Sequence, residues 1–503
     1  MTRQSSALTI ATPLRIEQLA VRSGARGVDV VHTGIGERRS RRAIARIAGS
    51  GPLAIMGVAG GLAAEVRPGD LVVATEVRLA DATVVATCPS APILAGALRR
   101  LGLTAHLGPI VTVASPSLSP ADRQRLADAG AIAVDMESAW LAAAAREGRP
   151  LAVVRAITDT TDAPLVHPGI LVRGPKALAA VRAAAPAVAG WAQAAADRQV
   201  VLASPRSFCA GVERAIDIVR LALERYGAPV YVRRQIVHNA HVVAELEQAG
   251  AIFVKELDEV PVGARAILAA HGVAPAVRSQ AVERQLSVID ATCPLVAKVH
   301  QEVRRYAAAD HTVVMIGHAD HEEVEGSAGE APDRIRIVGS ESEAATVAVD
   351  DPARVAFVMQ TTLAVDEAER IADVLRGRFP DMRAPRQDDI CYATSNRQQA
   401  VREIAGDCDL LLVVGSTNSS NSLRLVEVAE RAGSSSYLID DAADIEPQWL
   451  TGVGTVGVTA GASAPPRLVE DVVAALAGLG RTTRREHRSI EEDLRFTLPN
   501  EVS

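Results

Sequence analysis

Three cysteines carry the most chemistry in this chain, because Cys209, Cys293 and Cys391 each stand just ahead of a helical pattern. The clearest case is VIDATCPLVAKVHQEVRRY, residues 288–306, where a β-branched pair leads into a Cys-Pro corner. Pro294 suits a first helical position, and Val296, Val299, Val303 and Tyr306 then recur on one helical face. A cysteine at such a helix N-terminus faces the positive end of the backbone dipole, which favours a thiolate. The same local pattern brings Cys209 and Gly211 to a helix that Gly227 is expected to stop. It also places Cys391 ahead of Thr394 and Ser395, both good N-cap residues. Three cysteines without a fourth do not suit structural zinc, which wants four ligands, often as paired C-x₂-C knuckles. Disulfides would pair two and strand the third. An iron–sulfur cluster on three cysteines instead leaves one iron open for substrate. The plain alternative is three buried cysteines acting as small hydrophobes; three copies of one context argue against it. Cys88 and Cys408 lack that context and are expected to be inert.

The elements that must position these groups read as alternating strands and helices, the pattern of an α/β protein. In open α/β sheets, ligands bind at the carboxyl ends of strands. That is where further polar residues fall: His238, His271, His321 with Glu323, Thr361, Ser419-Ser420-Asn421 and Ser463 each follow an apolar run. Hydroxyls and imidazoles at loop-to-helix junctions can hold a diphosphate, although S-S-N-S is also simple N-capping. A chain of 503 residues exceeds one ordinary core, so several domains are expected. The boundaries are read as 1–198, 199–480 and a C-terminal tail at 481–503. A net charge of -7 gives no footprint for nucleic acid. Five cysteines fit a reducing compartment, and the start MTRQSSALTI has no apolar core for a signal peptide. No run is long and apolar enough to span a bilayer. The expectation is a cytoplasmic protein.

The first part carries the loop GVAGGL with RPGD, the helix start D-M-E-S, and V-V-R-A-I-T-D ending at Asp159. Over about 195 residues it resembles the nucleoside phosphorylase and 5′-methylthioadenosine/S-adenosylhomocysteine nucleosidase superfamily. That resemblance implies that Glu137 holds ribose hydroxyls and that Asp159 protonates or hydrogen-bonds N7 of a departing purine. Glu17 is aligned as the water-activating base. For Asp159 the bland reading is a helix N-cap after a strand. Arg38, Arg39, Arg41 and Arg42 could meet phosphate, but such runs are more often a solvated helix face.

From residue 201 to about 476 the motifs F-C-A-G-V, V-H-N, A-H-G-V, D-A-T-C-P, V-E-G, Q-T-T-L, D-D-I-C-Y-A-T, G-S-x-N-S-S-N-S and T-A-G-A-S-A-P follow in order. This set closely resembles the 4-hydroxy-3-methylbut-2-enyl diphosphate reductases. The resemblance implies three similar α/β subdomains around a central 4Fe–4S cluster on Cys209, Cys293 and Cys391. It implies an allylic diphosphate held by His238, His271, His321, Thr361, Ser419, Ser420, Asn421 and Ser463. Glu323 would be the proton source, with His321 and Thr361 beside it, and ferredoxin or flavodoxin the electron donor. One departure is Glu322, where the family usually has proline. It could raise the pKa of Glu323 or point outward. Three readings stand: a reductase fused to an active purine nucleosidase or phosphorylase, the same reductase with a non-catalytic nucleoside-binding or scaffold domain, and a thiol redox sensor.

Overall fold

Near-continuous apolar runs such as LAVVRAITD and LLLVV become strands that are buried along their whole length. Parallel sheets covered by helices on both faces demand such strands. The computed structural model describes residues 7–115, 119–145, 148–160 and 169–503. It divides into two compact units. One comprises Met1–Val200, Asp441–Val456 and Glu470–Arg485; the other comprises Val201–Asp440, Gly457–Val469 and Glu486–Ser503.

The first unit is built on an eight-stranded sheet. Its strands are β1 (Thr9–Thr12), β2 (Asp29–His32), β3 (Leu53–Gly61), β4 (Leu71–Leu79), β5 (Val84–Thr87), β6 (Ala105–Thr112), β7 (Ala133–Asp135) and β8 (Leu151–Asp159). The order is β2-β1-β3-β7-β6-β4-β5, and β8 pairs in parallel with β3 and antiparallel with β4. The helix expected from Glu137 onward is shorter than its pattern, running only Ser138–Ala142. The Asp135 carboxylate accepts the N–H groups of Glu137 and Ser138 at its start. At its end the N–H groups of Ala144 and Ala145 turn to carbonyls three residues back, which tightens and stops it. Arg38, Arg39, Arg41 and Arg42 lie exposed on the helix Glu37–Ile47, where Arg41 pairs with Glu37.

The remaining strands are β9 (Arg198–Ser204), β10 (Val230–Arg233), β11 (Ala251–Val254), β12 (Arg265–Leu268), β13 (Ser287–Asp290), β14 (Thr312–Ile316), β15 (Ile335–Val338), β16 (Val355–Met359), β17 (Leu410–Val414), β18 (Ser435–Ile439), β19 (Thr455–Ala460) and β20 (Thr482–Arg488). They form three sheets in the orders β11-β10-β12-β13, β15-β14-β16 and β18-β17-β19-β9-β20. The architecture is α/β throughout, as the alternating pattern predicts. Cys209, Cys293 and Cys391 are the N-caps of the helices Ala210–Tyr226, Pro294–Ala308 and Tyr392–Ala405. The third helix thus starts before Thr394 and Ser395, which sit in its first turn instead of capping it. Nor does Cys391 leave a strand directly. Its loop is tied to the end of β16 through Cys391 N–H to the Thr361 carbonyl and Met359 N–H to Asp389. The helix Ser420–Arg431 has Ser419 as its cap.

Residues 486–503 are built into the second unit. Glu492 pairs with the buried Arg397, and Val502 lies in a core cluster with Ala215 and Ile289. Among the described residues, no helix is long and apolar enough to cross a membrane.

Candidate functional site

In the second unit the ends of strands and the starts of helices converge on one cavity, with about 780 Å³ of space open toward solvent. All three candidate cysteines line it, together with His238, His271, His321, Glu323, Thr361, Ser419, Ser420, Asn421 and Ser463. Residues drawn from nine separate stretches of sequence therefore meet in one place. Cys293 and Cys209 are close neighbours across Gly211. A methyl group added to that glycine would come within 2.8 Å of Cys293 Sγ and 3.8 Å of Cys209 Sγ.

The thiols differ from the expectation drawn from the helix dipole. Burial pushes Cys293 up to about 11 and Cys391 up to about 12, although backbone N–H groups of each helix start pull the other way. Desolvation of a thiolate outweighs the dipole here. Cys88 and Cys408 are buried elsewhere, Cys408 in an apolar cluster with Val201 and Leu411. They pack as small hydrophobes.

Glu323 is buried in the first turn of the helix Glu322–Ala328. Its Oε1 accepts the Thr361 N–H at 2.7 Å and its Oε2 the Thr361 hydroxyl at 3.0 Å. Burial is the main influence and lifts its carboxyl to about 7, despite these hydrogen bonds. It therefore carries a proton over much of the neutral range. The neighbour Glu322 is not what raises it, because the two side chains diverge: Glu323 faces Thr361, and Glu322 faces His271 at 3.4 Å.

The imidazoles and hydroxyls line the same cavity. His238 and His271 stack with ring centroids 4.1 Å apart, and His321 meets both edge-on. Burial, with the charge of His271 second, lowers His238 to about 3 and His321 to about 4. His321 Nδ1 accepts the Glu323 N–H, so its Nε2 edge carries any proton. Ser463 donates to the His238 carbonyl, and Ser419 lies within reach of both Ser463 and Ser422. Asn421 accepts the Ala462 N–H and donates to Thr394. Sequence reasoning missed Phe496, Tyr392 and Thr362 on the cavity wall. Only the aromatic type of the first two could have hinted at them.

A second cavity, open to solvent, lies in the first unit and is lined by Glu17, Glu137 and Asp159. Glu17 accepts the N–H groups of Val58 and Leu14, and burial raises its pKa. Gly57 permits this, since a side chain there would strike both Glu17 and Arg155. Burial also lifts Glu137 to about 7 against the pull of Arg155, while Glu137 accepts the Gly36 N–H. Asp159 ends β8, bonded to the Thr158 hydroxyl and to the guanidinium of Arg123 from the helix Pro120–Asp128. That partner was not foreseen. The Arg123 guanidinium thus occupies one oxygen of the Asp159 carboxylate.

Residues 200–477 match the LytB protein family, and residues 17–190 match the Phosphorylase superfamily. The 4-hydroxy-3-methylbut-2-enyl diphosphate reductase of Acidothermus cellulolyticus is 59% identical over 306 residues, covering 61% of this chain and 90% of that protein. The enzyme of the same name from Leifsonia xyli is 56% identical over 306 residues, covering 61% and 91%. The solved structure of E-1-hydroxy-2-methyl-but-2-enyl-4-diphosphate reductase from Plasmodium falciparum aligns with a TM-score of 0.59 at 35% identity, over 61% of this chain and 97% of that one.

Proposed function

The chain belongs to the LytB protein family, and from that premise we propose that it reduces 4-hydroxy-3-methylbut-2-enyl diphosphate to isopentenyl and dimethylallyl diphosphate. The observation that carries this reading is one cavity that joins three cysteines, a buried proton-bearing carboxyl and a wall of imidazoles and hydroxyls. The cysteines suit an iron–sulfur cluster. They are soft donors, and thiols lifted to about 11 and 12 keep their protons unless a metal replaces them. Cys209, Cys293 and Cys391 would hold a 4Fe–4S cluster, which when bound supplies electrons and a Lewis-acidic iron.

The chain's own groups do the rest. His238, His271, His321, Ser419, Ser420, Asn421 and Ser463 orient the diphosphate by charge-assisted hydrogen bonds. Thr361 holds Glu323 in place, and Glu323 gives its proton to the allylic oxygen, so that the hydroxyl leaves as water. Overall the C–O bond breaks, the carbon skeleton gains two electrons and one proton, and a second proton goes to the water. The electrons come from an external donor such as ferredoxin or flavodoxin, in a reducing, cytoplasmic setting. Residues 199–480 form the reductase module in this reading. Its test is the full chain prepared without oxygen, given substrate and a reduced viologen dye. A brown protein that releases both isopentenyl and dimethylallyl diphosphate supports the reading. A colourless protein with free thiols would support the redox sensor instead.

For residues 1–198 the reading is cleavage of a purine N-glycosidic bond, with Glu137 on the ribose, Asp159 at the base and Glu17 acting on water. The Arg123–Asp159 pair favours the second reading, a nucleoside-binding module without turnover, because it occupies the group meant to help the base depart. Base release by the full chain from a panel of purine nucleosides, with and without phosphate, separates the two.

A further inference from the structure

Each of the three helices capped by a candidate cysteine carries a cation in its second turn. Arg214 stands five residues after Cys209, Lys298 five after Cys293 and Arg397 six after Cys391. Helix cations usually face water. These three turn inward, and each reaches the loop that leads to a different cysteine.

Arg214 Nη1 donates to the carbonyls of Ala291 and Thr292 at 3.3 and 3.2 Å, the two residues just ahead of Cys293. Lys298 Nζ donates to the carbonyls of Gln387 and Asp388 at 2.8 and 2.9 Å and to the Asp389 carboxylate at 3.2 Å, in the loop that ends at Cys391. Arg397 Nη2 donates to the carbonyls of Ser207 and Phe208 at 2.7 and 3.2 Å, just ahead of Cys209. The links run from the Cys209 helix to Cys293, from the Cys293 helix to Cys391, and from the Cys391 helix back to Cys209. They close a ring.

The carbonyls in question belong to loops and have no helical partner, so something else must satisfy them. A cation set against two successive ones fixes both peptide planes, and with them the direction in which the following cysteine leaves the backbone. Ser207 shows how firm the grip is. It holds φ 64, a left-handed conformation that a non-glycine residue keeps only when its surroundings enforce it. Its carbonyl takes two N–H groups of the fully buried Arg397, from Nε at 3.2 Å and Nη2 at 2.7 Å. The Nη1 of Arg397 is in turn held by the Ala393 carbonyl and Glu492. Lys298 meets three acceptors with the three donors of an ammonium.

We propose that Arg214, Lys298 and Arg397 are positioning residues for the three-sulfur site, a closed relay in which the helix behind each cysteine aims the next one. A break in one link therefore loosens the sulfur that the link points to and spares the sulfur on its own helix. A plain loss of helix stability would do the reverse.

This inference rests on the iron–sulfur reading above, and the experiment keeps the two apart. The full chain is loaded with iron and sulfide without oxygen, and iron per chain is measured. It is then stripped with a chelator and pulsed with iodoacetamide, and the alkylation of each cysteine is followed by peptide mass spectrometry. Arg214→Gln should speed alkylation of Cys293 and leave Cys209 near its original rate. Lys298→Met should speed that of Cys391 and spare Cys293. The expected acceleration is roughly tenfold, as when hydrogen bonds from a charged group no longer oppose a local opening. Arg214→Lys keeps the charge and should return most of the protection. Cys88 and Cys408, buried elsewhere, report general unfolding and should stay slow. Iron per chain should fall in the Gln and Met variants. Faster alkylation of the cysteine on the variant's own helix, equal acceleration of all five thiols, or no change would each overturn the ring. The expected alkylation pattern in a chain that binds no iron would sink the iron–sulfur reading and leave the ring standing as a device that aims three thiols.

Discussion

Glu323 shows how one side chain acquires a task from its surroundings. Enclosed beside Thr361, its carboxyl is lifted to about 7, mainly by burial. Reduction needs the protonated form, so turnover under saturating substrate should fall as pH rises through about 7. Glu323→Gln should load iron and bind substrate nearly normally but turn over ~10²–10⁴-fold more slowly, because the amide has no acidic proton to give. Single-turnover kinetics with a pH series will check both statements; an unchanged rate in the Gln variant would remove Glu323 from the reaction. At this scale the cysteines, histidines and hydroxyls were legible because they recur in fixed local contexts. The direction of Glu322 was not, since adjacent residues at a helix start point to different sides, and only the fold decides which neighbour each one meets. The protonation of the thiols was misjudged for a related reason. The helix dipole can be read from sequence, whereas the desolvation that outweighs it depends on walls supplied by distant residues.

Between residue and fold stand the helix starts that deliver the sulfurs. Gly211, in the first turn of Ala210–Tyr226, leaves room for Cys293 Sγ at a distance where a Cβ would have to push it aside. Gly211→Ala should therefore lower iron per chain several-fold, with an overpacking cost of roughly 1–3 kcal/mol borne at the site. Gly377→Ala, in the helix Val365–Arg378, has open space around it and should keep full iron and gain a little stability. Equal iron in the two variants would deny Gly211 this role. Most strands and helices were readable from apolar runs and helical periodicity. The approach to Cys391 was not: the expected strand is a loop, held by Lys298 donating to the carbonyls of Gln387 and Asp388 and to the Asp389 carboxylate. Nothing in the local pattern announces a brace whose partners stand about ninety residues apart.

Over the whole molecule, the chain path does not follow the order of its compact units. The first unit takes in Asp441–Val456 and Glu470–Arg485. There Arg100 donates to the carbonyls of Ala443 and Ile445, Ser90 donates to Gly478, and Leu450, Leu476 and Leu479 are fully buried. A fragment of residues 1–200 forfeits those contacts, and each buried leucine is worth about 1.5–3 kcal/mol. Its thermal transition should lie well below that of the same unit in the full chain, or lose cooperativity, as calorimetry will show. Composition shifts along the sequence mark where one pattern gives way to the next, but not which later segments return to an earlier core. The second unit has the same property at its far end: Phe496 lines the cavity that holds the three cysteines and Glu492 holds Arg397, both placed long after Cys391 in the chain. On the ribosome all three cysteines therefore emerge while the cavity still lacks part of its wall.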